Sequence, residues 1–186
     1  MGRLATYASF VRVSHTVFAL PFALVGAVLA AREAPLTWTR VAWIIGAMIT
    51  ARSAAMGFNR LADARHDALN PRTALRELPR GAMSRGEAAL FVVIASALFL
   101  ICAWALGPVT FALAPLALAI VFWYSLAKRV THYTQFFLGL AMAVAPVGGW
   151  LAAGGPFVAA ESALLAASAA DETACARCCH HLATRL

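Results

Sequence analysis

The sequence has little charge, and acidic residues are especially scarce. Only 12% of its 186 residues are charged, and only eight of them are Asp or Glu. Soluble domains carry about twice that charged fraction, so an ordinary soluble domain is excluded. The hydrophobic fraction of 62% and the mean hydropathy of +0.78 indicate a membrane protein instead.

Cysteine is also rare, with four residues in the chain. Cys102 lies in an apolar run, and the other three lie within Cys175–His181. A tail that faces the cytoplasm gives no reason to expect a disulfide framework. The CxxC spacing beside two histidines is a weak zinc signal, because no second pair of cysteines accompanies it.

Long apolar runs take the place of a soluble core. Five of them can cross about 30 Å of hydrocarbon as helices. They cover approximately residues 15–31, 40–58, 88–106, 109–127 and 133–153. A weaker, shorter run follows at 157–170. The sequence therefore predicts an all-α, polytopic transmembrane helical bundle of five to six spans. Residues 1–153 form its main part, and residues 154–186 form an atypical tail that contains the weak sixth span and a Cys/His-rich end.

The positive charge is concentrated on one side of this predicted bundle. With a cytoplasmic N-terminus, only Arg32 and Arg40 of the fifteen Lys and Arg residues fall outside. This is the positive-inside pattern, and it predicts a multi-pass protein of the inner (plasma) membrane with its N-terminus in the cytoplasm. The net charge of +7 is thereby explained without nucleic acid as a partner.

Asn59, Asp63 and Asp67 form the most informative pattern in the chain. Residues four apart lie along one face of a helix, with an axial rise of about 6 Å between neighbours. The second span is predicted to continue past the hydrocarbon to about Leu69, where Pro71 ends the helix. A row of two carboxylates and one amide suits Mg²⁺, which takes its remaining ligands from water and substrate phosphate. The alternative is an interfacial face in salt bridges with Arg60, Arg65 and Arg72.

Cations near this row favour a phosphate ligand. Arginines at positions 60, 65, 72, 76 and 80 surround the row in sequence, and arginine binds phosphate through charge-assisted hydrogen bonds. Tyr124 and Lys128 share a helix face at the inner end of the fourth span. They are typical either of a diphosphate site or of an aromatic belt with a snorkelling lysine. The clustering of cations after both even-numbered spans favours the diphosphate site.

Local signals predict how the spans begin, end and pack. Ser84-Arg-Gly-Glu87 is typical of a capping box that opens the third span. Gly107-Pro108 predicts a tight outer turn between the third and fourth spans. Three glycines and Pro146 interrupt the fifth span, which indicates close helix packing or a kink.

The motif Asn59-Arg-x-x-Asp63-x-x-x-Asp67 resembles the first aspartate-rich motif of intramembrane aromatic prenyltransferases of the UbiA type. The following Asn-Pro-Arg-Thr-Ala and Arg-Glu-Leu-Pro-Arg-Gly segments extend this likeness. The His15–Ala23 segment is similar to the start of the family's first helix. Tyr124-x-x-x-Lys128-Arg-x-Thr-His is similar to its fourth helix and the loop that follows. The resemblance covers about residues 10–153.

The resemblance implies a bundle of about nine helices around a cavity that opens laterally to lipid. It implies two aspartate-rich motifs that bind Mg²⁺ and a polyprenyl diphosphate, whose ionisation gives a carbocation that alkylates an aromatic acid such as 4-hydroxybenzoate. The implied metal ligands are Asn59, Asp63 and Asp67. The implied diphosphate ligands are Arg72, Lys128 and Arg129. The implied catalytic residues are Asp63, Asp67 and Tyr124, with Tyr124 facing the prenyl cation or the aromatic substrate.

The sequence departs from the family after residue 153. The second aspartate-rich motif is expected after the sixth helix, but Asp171-Glu172 belongs to no DxxxD pattern. The composition of the tail suggests translation outside the family's reading frame. We therefore expect a C-terminally truncated member that has little or no activity by itself.

Two alternative functions remain open from the sequence. The Asn59-Arg60 opening of the motif, rather than Asn-Asp, is compatible with the prenyl-transfer step of menaquinone assembly and a different aromatic acceptor. A non-catalytic membrane protein that binds metal or anionic lipid through its basic loop is the second alternative. The leading prediction is quinone-pathway prenyl transfer, with polyprenyl diphosphate, an aromatic acid and membrane lipid as partners.

Overall fold

The computed structural model describes residues 7, 10–11, 13–32, 35–73, 75–130 and 134–156. Five helices are bounded within them: α1 (Val13–Ala30), α2 (Trp38–Leu69), α3 (Arg85–Leu106), α4 (Pro108–Val130) and α5 (Thr134–Ala152). These ranges contain no strand. The predicted all-α fold is confirmed.

Each of the five predicted spans coincides with one of these helices. Among the described residues, α2, α3 and α4 contain stretches long and apolar enough to cross a membrane. A shorter apolar helix covers Phe136–Ala152 within α5. The predicted sixth span at 157–170 and the Cys/His-rich end lie outside the described residues.

The helix α2 is much longer than a membrane crossing requires. Its 32 residues extend about 48 Å, whereas the hydrocarbon core measures about 30 Å. Its final turns therefore project beyond the apolar layer, as the sequence predicted. The helix ends at Leu69, and Asn70 adopts an extended conformation immediately before Pro71. Proline disfavours helical geometry in the residue that precedes it.

The predicted capping box at the start of α3 is present. The Ser84 hydroxyl accepts from the Glu87 backbone N–H at 3.1 Å, and the Glu87 carboxylate accepts from the Ser84 N–H at 2.8 Å. These bonds satisfy donors that a helix N-terminus otherwise leaves unpaired. At the other end, Gly107 has φ +141°, a conformation that favours glycine. The tight turn into α4 follows directly.

Small residues bring α1 and α5 together. A Cβ atom on Gly26 would overlap the carbonyl of Pro146, and one on Gly149 would overlap the carbonyl of Ala23. The predicted close packing of the fifth span is thus confirmed at Gly149. At Gly139 a Cβ would meet nothing within 4 Å. Close backbone approach through small residues is a common means of packing helices in lipid.

The other helices complete the bundle around α2. Its principal partner is α3, while α4 contacts α2, α3 and α5. Phe58 of α2 stacks on Phe122 of α4, with ring centroids 4.5 Å apart. This stack lies one residue before Asn59 on α2 and three residues before Ser125 on α4. It therefore holds the two helices in register where the predicted site begins.

Candidate functional site

The row Asn59, Asp63 and Asp67 lies on the last three turns of α2. Its exposure decreases toward the helix end: Asn59 and Asp63 are half-buried, and Asp67 is buried with 8% of its surface exposed. Helix geometry places the three on one face, about 6 Å apart along the axis. The row therefore extends from the bundle interior to its polar end.

Asn59 is held by a contact with α4. Its Nδ2 donates to the Oγ of Ser125 at 3.4 Å, and Ser125 has only 2% of its surface exposed. Tyr124 is the next residue on α4 and lines the same cavity as Asn59. The structure thus brings together two of the predicted site residues, Asn59 and Tyr124. Ser125 was not among the predicted site residues, because an isolated serine in an apolar helix belongs to no recognisable pattern.

Asp67 is paired with an arginine of the loop that follows α2. The Arg76 Nη1 donates to Asp67 Oδ2 at 2.7 Å, and the Thr73 hydroxyl donates to the Asp67 carbonyl at 2.9 Å. The salt-bridge alternative is therefore observed at Asp67, but its partner is Arg76 and not the predicted Arg60, Arg65 or Arg72. One carboxylate of the row already has a cation beside it.

A second ion pair anchors the same loop. Arg60 Nη1 donates to Glu77 Oε2, and only 7% of Arg60 and 6% of Glu77 are exposed. The Arg60 guanidinium also lies over the Phe10 ring, 5.6 Å from its centroid. Burying charges is costly unless they are paired, so this pair is expected to hold Glu77 firmly in place. Glu77 was not among the predicted site residues.

Arg52 was not among the predicted site residues, although it is the most significant addition to them. It lies on α2, two turns before Asn59 and on nearly the same face, about 10 Å deeper along the axis. Its Nε atom is buried and has no hydrogen-bond partner in the described part of the chain. A charged residue at membrane depth usually faces a cavity and serves a function. That signal was available in the sequence, because Arg52 interrupts an apolar run.

Two adjoining cavities extend into the bundle from the level of Asn59. The first has a volume of about 330 Å³ and polar groups from Arg52, Asn59, Tyr124 and Ser125 in its wall. The second, of about 300 Å³, has an almost entirely apolar wall formed by α1 to α5. Ala51 and four other residues line both. Together they form a space that is polar toward the carboxylate row and apolar beyond it.

Of the three predicted diphosphate ligands, the structure describes the side chain of Arg72 alone. Arg72 is exposed in the loop after α2, where its backbone N–H donates to Asn70 Oδ1 at 3.0 Å. Lys128 and Arg129 are in the last turn of α4, but their side chains lie outside the described residues. Their assignment as ligands stays a prediction.

The donor chemistry of the row fits Mg²⁺. Two carboxylates and one amide supply hard oxygen ligands, and such sites usually complete the coordination with water and phosphate. Within the described residues there is no cluster of three or more His, Cys, Asp or Glu side chains that could hold a metal by itself. A metal in this row would therefore complete its coordination with water or with oxygens of a bound diphosphate.

The fold and site define an intramembrane helical protein with carboxylates above a cavity of mixed polarity. Residues 19–170 match the UbiA prenyltransferase family. The chain belongs to that family. The matched range includes the predicted sixth span, so the likeness to the family continues beyond residue 153, where the sequence analysis placed its end.

The chain is similar in sequence and in structure to known members of this family. Over 126 residues the chain is 36% identical to the 4-hydroxybenzoate octaprenyltransferase of Vibrio parahaemolyticus, covering 67% of this chain and 44% of the relative. The apo structure of a UbiA homologue from Aeropyrum pernix K1 is similar with a TM-score of 0.74 and 36% identity. That likeness covers 81% of this chain and 55% of the other.

A second solved structure shares the fold at lower identity. It is a UbiA homologue from Archaeoglobus fulgidus bound to GPP and Mg²⁺, with a TM-score of 0.69, 22% identity, and coverage of 87% of this chain and 59% of the other. That homologue therefore binds Mg²⁺ and GPP. The chain spans about half the length of the relatives it matches, or less.

Proposed function

We propose that this chain carries the diphosphate-binding part of an enzyme that transfers a polyprenyl group to an aromatic acid, with 4-hydroxybenzoate as the acceptor. The observation that supports this most directly is the Asn59–Asp63–Asp67 row above a cavity with one polar and one apolar end. A diphosphate suits the polar end, and the hydrocarbon chain suits the apolar end. The relatives' names favour this acceptor over a menaquinone precursor and over a non-catalytic role.

In this proposal the row holds Mg²⁺ through Asn59, Asp63 and Asp67. The bound metal would neutralise charge that develops on the departing diphosphate. Arg72, Lys128 and Arg129 bind the diphosphate oxygens and add to that stabilisation. Tyr124 faces the reacting carbon from the cavity wall. The apolar cavity keeps water away from the allylic cation, which water would otherwise capture.

We assign the acceptor's carboxylate to Arg52. The buried Nε lacks a partner among the described residues, and an unpaired buried donor costs about 1–3 kcal/mol. A planar carboxylate complements the guanidinium through parallel hydrogen bonds. The distance of about 10 Å between Arg52 and Asn59 along α2 leaves space for an aromatic ring between acceptor carboxylate and diphosphate.

The proposed location is the inner membrane, with multiple spans, a cytoplasmic N-terminus and lipid as the surrounding partner. The carboxylate row then opens toward the cytoplasm. Nucleic acid is not a partner in this proposal, because the basic residues follow the positive-inside pattern. Residues 1–153 form the bundle part and residues 154–186 a distinct tail.

The chain contains one DxxxD motif, Asp63–Asp67, whereas the family resemblance implies two. Binding is the more informative test. The chain in lipid nanodiscs should bind geranyl diphosphate with Mg²⁺ present and lose most of that affinity when EDTA removes the metal.

Two variants separate the proposed roles. Asp63→Asn should abolish Mg²⁺-dependent binding of geranyl diphosphate, while Asp171→Asn, the same chemical change outside the row, should not. Arg52→Gln should weaken 4-hydroxybenzoate binding at least about tenfold, as expected for a lost charged hydrogen bond, and preserve diphosphate binding. Arg32→Gln, at an exposed arginine, is its control. Equal binding by wild type and Asp63→Asn would contradict the proposed function.

A further inference from the structure

Two adjacent residues of the loop after α2, Arg76 and Glu77, form ion pairs that differ in their exposure to solvent. In the Arg60–Glu77 pair both side chains have 8% of their surface exposed. In the Arg76–Asp67 pair the Asp67 side chain has 11% exposed, but the Arg76 side chain has 34% exposed. Glu77 is therefore fixed inside the bundle, while the neighbouring Arg76 reaches its partner from the solvent side.

We propose that Arg76 is an exchangeable counter-ion: it occupies Asp67 when no metal is present and transfers to the diphosphate when metal binds. This inference rests on the proposed function, since it requires Asp67 to be a metal ligand. It assigns to Arg76 a positioning role that couples metal binding to diphosphate binding.

Arg76 and a bound metal would compete for the Asp67 carboxylate. Its Oδ2 accepts from Arg76 at 2.7 Å, and a divalent cation bound to the same carboxylate would lie a few ångströms from the guanidinium. Like charges at that distance repel strongly, particularly next to a buried group. Metal binding at Asp67 therefore requires Arg76 to move away.

Arg76 is able to move without unfolding the loop. The Thr73 hydroxyl holds the Asp67 carbonyl at 2.9 Å, and the buried Arg60–Glu77 pair holds the residue after Arg76. The backbone on both sides of Arg76 is thus anchored by contacts that do not involve its side chain. Because that side chain is one-third exposed, a change of rotamer is enough to release Asp67.

The released guanidinium has a destination in the bound diphosphate. A diphosphate bound to metal on the row lies within the same region and offers several anionic oxygens. Arginine binds phosphate in a bidentate geometry that lysine cannot reproduce. When metal binds alone, Arg76 loses its ion pair with Asp67 and gains no other. When metal binds together with diphosphate, Arg76 gains the diphosphate as a new partner. The two ligands should therefore bind with positive coupling.

The test measures Mn²⁺ binding by electron paramagnetic resonance, with and without geranyl diphosphate, on the full chain in nanodiscs. Arg76→Gln should bind Mn²⁺ alone several-fold more tightly than wild type, because Asp67 is released. The same variant should lose most of the coupling between the two ligands. The factor by which geranyl diphosphate increases the affinity for Mn²⁺ should fall about tenfold, which is within the usual range of coupling between sites. Arg76→Lys should retain part of it.

The control is Arg85→Gln, which removes the same charge from an exposed position at the start of α3. This control should change neither the affinity for Mn²⁺ alone nor the increase in that affinity with geranyl diphosphate. Unchanged or weaker Mn²⁺ binding by Arg76→Gln, with wild type binding both ligands, would overturn the role of Arg76 and leave the proposed function intact. If wild type binds neither ligand, the proposed function and this inference both fail.

Discussion

Asn59 donates a hydrogen bond of 3.4 Å to Ser125, and this bond connects the first residue of the Asn59, Asp63 and Asp67 row to α4. Because the amide donates through Nδ2, its Oδ1 atom is directed away from Ser125. An asparagine metal ligand binds through that oxygen. The serine therefore sets the orientation that the amide needs for the proposed metal.

Replacing Ser125 with alanine should weaken Mn²⁺ binding about tenfold, the lower end of the effect seen when a residue that orients a metal ligand is lost. The measurement is Mn²⁺ titration with geranyl diphosphate present. Ser96→Ala is a matched control, since among the described residues the Ser96 hydroxyl bonds within its own helix, to the Val92 carbonyl at 2.8 Å. Equal loss of affinity in both variants would show that Ser125 has no special role.

Removing one residue of the Arg60–Glu77 pair should destabilise the protein much more than replacing both with apolar residues. Arg60→Ala leaves the Glu77 carboxylate buried, and removing one partner of a buried pair costs about 3–5 kcal/mol. The double variant Arg60→Met with Glu77→Leu should recover most of that loss, because it buries no charge. Thermal unfolding in detergent measures both. A double variant as unstable as the single one would mean that the charges themselves are required.

The contact between α1 and α5 should not tolerate a methyl group at Gly149. A Cβ there would overlap the Ala23 carbonyl, so Gly149→Ala should destabilise the bundle by about 1–3 kcal/mol through overpacking. Gly139→Ala on the same helix meets nothing within 4 Å. It should be neutral or should stabilise by up to about 1 kcal/mol through helix propensity. Unfolding midpoints that fall equally in both variants would contradict this packing.

Ala51 should control how far a prenyl chain enters the bundle. Its side chain lines both cavities at the point where they adjoin, so Ala51→Phe should obstruct the apolar one. Affinity for farnesyl diphosphate should fall more than affinity for dimethylallyl diphosphate, by at least about tenfold, since each buried methylene contributes about 0.8 kcal/mol. Ala97→Phe, at an exposed position on α3, should leave both affinities unchanged. A uniform loss for both ligands in Ala51→Phe would indicate general misfolding.

Much of the fold was predictable from local pattern. The ends of α2 and α3 follow from Pro71 and from the Ser84–Glu87 capping box, which act over a few residues of backbone. The apolar runs predicted where helices lie, because a helix in lipid must satisfy its own backbone hydrogen bonds. The periodicity of the helix placed Asn59, Asp63 and Asp67 on one face without knowledge of any neighbour.

The partners of those residues were not predictable in the same way. Arg76, Arg72 and Arg65 are similar candidates in sequence for pairing with Asp67, and only the loop conformation selects Arg76. Ser125 lies 66 residues from Asn59 in the chain, so their contact depends on how α4 packs against α2. Arg52 was visible as a charge in an apolar run, but only the described surroundings of its side chain show that its Nε lacks a hydrogen-bond partner there.

The sequence by itself determined the class of protein, the helices, and the row of oxygen ligands with its surrounding cations. These properties depend on composition and on spacing within one helix, which short-range geometry controls. The tertiary structure decided which arginine neutralises Asp67, which serine orients Asn59, and where Arg52 meets the cavity. Those contacts join residues from different helices and loops, and packing selects among partners that local spacing leaves equivalent.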